Sequence, residues 1–142
     1  MSQCPFCAIA AGTQPASVVW QDDRALAFLD LRQAVRGHVL VVPRTHAATL
    51  FDLDEDAAAH LMRIAHRVAC AVERAWSPAG LNLWQSNREA GGQEVSHVHL
   101  HVQPREVGDG LLRVYPHGAP TTAPRARLQE WAQQLRQQLR AP

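Results

Sequence analysis

Three histidines alternate with apolar residues in His97-Val98-His99-Leu100-His101-Val102. In an extended chain successive side chains point to opposite faces. Val98, Leu100 and Val102 can then enter a core while His97, His99 and His101 line the other face, neighbours about 7 Å apart. A helix would scatter the three rings. With an ordinary pKa near 6.5, imidazole can serve as a neutral nucleophile or a charged donor. A neutral ring can attack phosphorus to give a phosphoramidate, and an adjacent ring can donate to the phosphate oxygens, where negative charge needs support. This reading requires a central ring free of the interior and of any metal. Two plainer readings stay open: an H-x-H strand that offers two ligands to zinc, and surface decoration. Gly91-Gly92-Gln93 precede the row. Glycine allows close backbone approach, and free N–H groups in such a turn can hold phosphate oxygens, although a simple hairpin turn would look the same.

A second constellation is Cys4-x-x-Cys7, half of a common zinc pattern. It also fits a redox pair, but the βαβ context expected for one is missing. Cys70 reads as a small buried hydrophobe. His60 and His66 read as helix-surface or helix-packing residues, and His117 as a solvated tail residue.

The elements that must position these groups follow from periodicity. Cys7–Ala11 suggests a short helical turn ending at Gly12. Ser17–Gln21 and Ala25–Leu29 read as strands around Asp22-Asp23-Arg24, and Gly37–Val42 as a third strand closed by Pro43. Asp54–Trp76 carries Leu61, Ile64, Val68 and Val72 at helical spacing, with acidic residues in its first turn and Asp52 or Asp54 as N-cap. Leu81–Gln85 is a fourth strand, Asn87–Gly92 a polar turn, and Val95–Val102 a fifth strand stopped by Pro104. A long Pro-, Gly- and Ala-rich loop follows Gly108. Arg125–Arg140 closes the chain as a helix with a Leu128, Trp131, Leu135 and Leu139 stripe. The order points to an α+β fold with a mainly antiparallel sheet.

The 142 residues fit one domain with a real core. No apolar run approaches the roughly 20 residues that span a bilayer, and Met1–Ala11 lacks the marks of a secretory signal, so a cytoplasmic protein with no membrane partner is expected. A net charge of +1 argues against a nucleic-acid binder. All fourteen basic residues are arginine, which excludes Schiff-base and P-loop lysine chemistry.

Three segments, in order, resemble the histidine-triad (HIT) family. Gly91–Arg105, G-G-Q-E-V-S-H-V-H-L-H-V-Q-P-R, is similar to its signature; Gly37–His46, G-H-V-L-V-V-P-R-T-H, and Ala27-Phe28-Leu29-Asp30 match its earlier motifs. The likeness runs from about Cys4 to Arg105 and suggests a HIT domain over 4–106, with 107–142 as a loop-and-helix extension. It implies a five-stranded, mainly antiparallel sheet with one long helix and a short N-terminal helix, and a homodimer joining two such sheets into ten strands. It implies a bacterial Hint- or Fhit-related hydrolase or transferase that binds a purine nucleotide. By the same match His99 is the nucleophile, His101 bonds the α-phosphate, His97 supports the row and His38 stands beside it. Asp30 takes the ribose hydroxyls, and Phe6, Ile9 and Phe28 fall where the base is held, though all three also suit ordinary core. Asn87, rather than Ser86, and Gln93 fall near ribose or phosphate. Many bacterial members pair a C-x-x-C with two histidines, which here implies a structural zinc on Cys4, Cys7, His46 and His97. One position departs. Three residues before His97 the Hint-type branch has Ser and the Fhit-type branch Thr, near the leaving group, whereas this chain has Glu94. Facing the site it would repel further phosphates; facing outward it would not.

Three functions follow from these residues. The first is hydrolysis or transfer at the α-phosphate through a nucleotidyl-His99 intermediate, on a phosphoramidate, adenylyl conjugate or dinucleoside polyphosphate. The second is a nucleotide-binding scaffold with slow or vestigial catalysis. The third, a zinc hydrolase with triad ligands, lacks a nearby acidic general base.

Overall fold

The computed structural model describes residues 4–139. Contacts divide the chain into a unit that ends at Asp109 and a second that begins at Gly110. In the first unit, helix α1 (Pro5–Ala10) precedes strands β1 (Val18–Gln21), β2 (Ala25–Leu29) and β3 (Val39–Pro43). Helix α2 (Glu55–Trp76), β4 (Gly80–Gln85) and β5 (Leu100–Arg105) follow. The sheet is antiparallel throughout, in the order β1-β2-β3-β5-β4. The second unit contains helix α3 (Arg125–Leu139), whose stripe residues Leu128, Trp131, Leu135 and Leu139 are all exposed. The last residue expected in that helix, Arg140, lies outside the described residues.

Alternation divides the sheet's two faces. Ala25, Ala27, Val39, Val41 and Val102 turn to one side and meet Leu61, Ile64, Ala65, Val68 and Val72 of α2. Four branched apolar chains, Leu61, Ile64, Val68 and Val72, buried on one stripe of the helix at about 1.5–3 kcal/mol each, outweigh what intrinsic propensity could supply. Asp54 starts α2 as an N-cap, its carboxylate accepting from the Ala57 N–H. On the opposite face Leu26, Phe28, Leu40 and Val42 form a second cluster with Phe6 of α1. Strands β2 and β3 thus bury both faces, which explains why Val39–Val42 is an unbroken apolar run.

Two local expectations are corrected. Helix α1 begins at Pro5 rather than Cys7, because proline's fixed φ suits a first helical turn, where its missing N–H costs nothing. The fifth strand is displaced, running from Leu100 to Arg105 instead of Val95–Val102. Before Leu100 the backbone leaves the ladder: the His97 N–H donates to the Val95 carbonyl, a tight turn, and the Val98 N–H to Ala47. At the other end β3 pairs with β5 no further than Val102. Pro104 therefore lies beyond β3 and pairs only with Leu81 of β4, and its carbonyl accepts from the Gln103 side chain. A proline with one strand neighbour forfeits no ladder bond on its open side.

Candidate active site and metal centre

Only His101 of the three alternating histidines belongs to β5; His97, at a bend, and His99 precede it. The rows still separate as alternation requires. Val98 and Val102 are buried in the α2-side core with Leu100 packed against them, while His97 and His99 both meet the edge of Phe6 on the α1 side, ring centroids 5.7 and 5.2 Å away. The rings crowd more than strand spacing implies: His99 and His101 centroids are 4.8 Å apart.

Each ring has a distinct environment. His99 Nδ1 lies 2.7 Å from the His97 carbonyl oxygen. A carbonyl can only accept, so Nδ1 carries the proton and the Nε2 of the neutral ring has its lone pair free. The expectation of a ring free of the interior is corrected at the level of the residue: His99 is buried, 5% exposed, because Phe6 of α1 packs against it. Its Nε2 has no protein partner, yet among the described residues no fully buried side-chain nitrogen lacks one, so what remains open of His99 includes that atom.

His101 Nδ1 lies 2.9 Å from His38 Nε2. Burial, with the neighbouring His99 and His38 rings, pushes His101 down to about 3, so it is neutral. Burial also lowers His38, against the pull of Asp30, whose carboxylate stands 3.9 Å from His38 Nδ1. Asp30 accepts from the Arg32 N–H, and Gln33 ties the same loop to the His38 backbone through its amide.

His97 turns the other way. Its Nε2–H donates to the Pro43 carbonyl at 2.9 Å, which leaves Nδ1 as a bare lone pair. That nitrogen lies 3.3 Å from Cys4 Sγ, 3.6 Å from Cys7 Sγ and 3.3 Å from His46 Nδ1, and Cys7 Sγ lies 3.4 Å from His46 Nδ1. All four donors fall within 4.8 Å of one another. Donors about 2.0–2.3 Å from a tetrahedral zinc lie roughly 3.3–3.8 Å from each other; the four separations of 3.3, 3.4, 3.6 and 3.3 Å match that spacing, and the donor set is compatible with zinc. The Pro43 bond is the kind of outer contact that fixes a ligating histidine's tautomer. The cluster uses one triad ring only.

The remaining expected residues lie around this centre. Phe6 and Phe28 are buried edge to face at 5.5 Å, with Ile9 half-buried beside them. The Asn87 and Gln93 side chains are committed to the protein. Asn87 Oδ1 accepts from the Leu50 N–H and from Gln85, and the Gln93 amide bridges the Arg88 N–H to the Ala48 and Val95 carbonyls. Glu94 pairs with Arg32 at 2.6 Å, both side chains largely exposed. Cys70 is half-buried, with Sγ 3.6 Å from His66 Nε2, and His60 bonds Asp22. Trp84 gave no sign in the sequence, because its partner is set by strand register; it stacks on His101.

Residues 11–108 match the HIT domain family model. The chain belongs to the HIT domain family. It is similar to the HIT relative Protein hit of Bacillus subtilis, 38% identical over 113 residues that cover 79% of this chain and 78% of that one. Its fold is similar to that of SMU.412c from Streptococcus mutans, with a TM-score of 0.88 and 34% identity over 98% of this chain and 87% of the other. A Zn-bound histidine triad family protein from Mycobacterium smegmatis is 38% identical, with a TM-score of 0.72 over 78% of this chain and 80% of that one. HIT proteins are in general nucleotide hydrolases and transferases. No helix among the described residues is long and apolar enough to cross a membrane.

Proposed function

We propose that this HIT protein is a nucleotidyl hydrolase or transferase that acts at the α-phosphate of a purine nucleotide conjugate through a covalent intermediate on His99. The observation that carries the reading is the 2.7 Å bond from His99 Nδ1 to the His97 carbonyl, which presents a free Nε2 lone pair as nucleophile. That lone pair forms a bond to phosphorus as the bond from phosphorus to the leaving group breaks; the departing phosphate keeps the electron pair, and a departing amine keeps it and takes a proton from solvent. Water or another acceptor then attacks the same phosphorus, the P–N bond breaks and the electrons return to Nε2. In this reading His38 Nε2–H donates to His101 Nδ1. His101 then presents Nε2–H to a phosphate oxygen, where charge builds during attack.

Asp30 takes the ribose hydroxyls as a carboxylate acceptor, and Phe6, Ile9 and Phe28 hold the base. Asn87 and Gln93 act through the loop that they order; its Arg88, Gly91, Gly92 and Gln93 N–H groups are already bonded within the protein, and the backbone after Gln93 meets phosphate. The zinc on Cys4, Cys7, His46 and His97 is structural, since four protein donors leave no position for water. The protein works in the cytoplasm, where the thiols stay reduced, and as a homodimer joined along β4, an edge of the sheet.

The test is a substrate panel of adenosine and guanosine phosphoramidates and dinucleoside polyphosphates, with acid-quenched samples weighed by mass spectrometry. Wild type turns over at least one class and shows a nucleotidyl adduct on His99. His99→Asn loses at least roughly a thousand-fold in kcat while it still binds the nucleotide. Full activity in His99→Asn sinks the reading; nucleotide binding without turnover in wild type points instead to a scaffold.

A further inference from the structure

The ladder between β4 and β5 sets Trp84 directly across from His101, and Leu40 of β3 lies across from His101 on its other side. The indole and imidazole are parallel within 4°, with ring centroids 4.1 Å apart. His38 is tilted by 32° against the same indole at 5.6 Å and lies 28° from the His101 plane. The three ring centroids form a triangle: His101 lies flat on the indole, and His38, bonded to His101 at Nδ1, leans against the same indole.

The hydrogen bond from His38 reaches His101 at a single atom, Nδ1. One such contact locates that nitrogen but leaves the ring free to swing about it, because the final torsion of a histidine side chain has a broad, shallow preference. A flat surface against one whole face of the imidazole removes that freedom. Direct cross-strand partners are the closest side-chain neighbours a sheet provides, and indole is the largest flat side chain available. Packing alone would be met by any half-buried aliphatic residue; near-perfect parallelism with a half-buried histidine is a more specific arrangement.

We propose that Trp84 is a positioning residue of this site: its indole fixes the plane of the His101 imidazole, so that Nε2–H is aimed at the nucleotide phosphate while Nδ1 stays bonded to His38. The proposal deepens the reading of His101 as a phosphate donor and rests on it. Trp84 touches no reacting atom and acts only through His101.

The test compares full-length, zinc-loaded wild type with Trp84→Leu and Trp84→Phe. Trp84→Leu is expected to lower kcat by about tenfold or more with KM changed less than twofold, because a misaimed donor is felt where charge develops in the transition state. Trp84→Phe, which keeps a flat face, restores most of the loss. A residue that only fills space would lower the melting temperature and leave kcat of the folded fraction unchanged. The second readout is the imidazole nitrogen and carbon-bound proton NMR of His101, assigned through its loss in His101→Gln. Wild type shows one fixed tautomer with ring protons shifted upfield by the indole, and Trp84→Leu shows averaged tautomers. If Trp84→Leu does not fold, the wild-type spectrum decides: averaged tautomers there overturn the proposal. Equal kcat in folded Trp84→Leu and wild type also overturns it. A fixed His101 in a wild type that turns over nothing in the panel leaves the positioning role standing and removes the proposed reaction.

Discussion

The Phe6 and His99 rings pack edge to face with centroids 5.2 Å apart, and Phe6 stands between Cys4 and Cys7 in the chain. One six-residue helix, with Cys4 as its N-cap, therefore joins the thiols of the proposed zinc site to the surroundings of His99, the proposed nucleophile. Losing the ion would release two of four donors from that helix and loosen Phe6 against both His97 and His99. Chelation of the zinc-loaded protein is expected to lower the melting temperature by several degrees and to raise KM for nucleotide, since the ion's binding energy is part of the folding energy. Metal analysis should give one zinc per chain, and Cys4→Ser or Cys7→Ser should reproduce the chelated state. Unchanged melting after complete metal removal would show that the cluster carries no structural load.

Acid should destabilise the protein through His101. Its folded pKa is held near 3, against about 6.5 when unfolded. Between these values the unfolded chain binds the extra proton and the folded chain does not, so stability is fully present above about 6.5 and is lost as pH falls toward 3. His38, lowered in the same direction, adds to the slope. One group can contribute at most about 1.4 kcal/mol per pH unit. Urea unfolding at pH 7, 6 and 5 checks this: the stability difference between wild type and His101→Asn should shrink with each step down. A difference that is constant with pH would mean that His101 is not held neutral.

Gly37 admits no side chain. Its φ is +101°, and an added Cβ would lie 2.5 and 2.9 Å from two ring carbons of Trp76 and 3.2 Å from Pro104. The Trp76 ring cannot retreat freely, since Arg36 lies over it with its guanidinium 4.8 Å from the centroid. Gly37→Ala should cost roughly 2–4 kcal/mol, a sum of backbone strain and overpacking. Adding Trp76→Leu should recover the overpacking share and leave the strain, a coupling that a double-mutant cycle reads directly. A loss under about 0.5 kcal/mol would mean that this loop relaxes at little cost.

Much of this was legible in the sequence wherever one local rule governs. The helix start, with Asp52 or Asp54 as its N-cap, the α2 stripe and the strand at Ala25–Leu29 each depend on neighbours within a few residues. The Cys4, Cys7, His46 and His97 grouping came from resemblance, since no spacing rule brings position 97 to position 4. The errors arose where the ladder, rather than the residue, decides. Val95 to His99 has strand composition but faces Ala47 and its own turn, and Pro104 was allowed to stay in β5 because β3 had already ended. Trp84 and His101 are 17 positions apart and meet only through register. Likewise Asp22 reads as a turn residue, which it is. Nothing local announced that it would also hold Trp20 and the α2 residue His60, or that, though burial opposes ionisation, these bonds and the Arg24 and Ala25 N–H groups would keep its carboxyl far below the usual range.

The two margins of the sheet are unequal. β1 has four residues with an irregular register between Val18 and Trp20, while β4 has six in unbroken register. An interrupted, short margin is a poor template for another chain. A molecule that adds to the β4 side would turn its own β1 outward, so accretion by strand addition halts after a single event. The proposed pairing along β4 therefore offers no route to open-ended fibres.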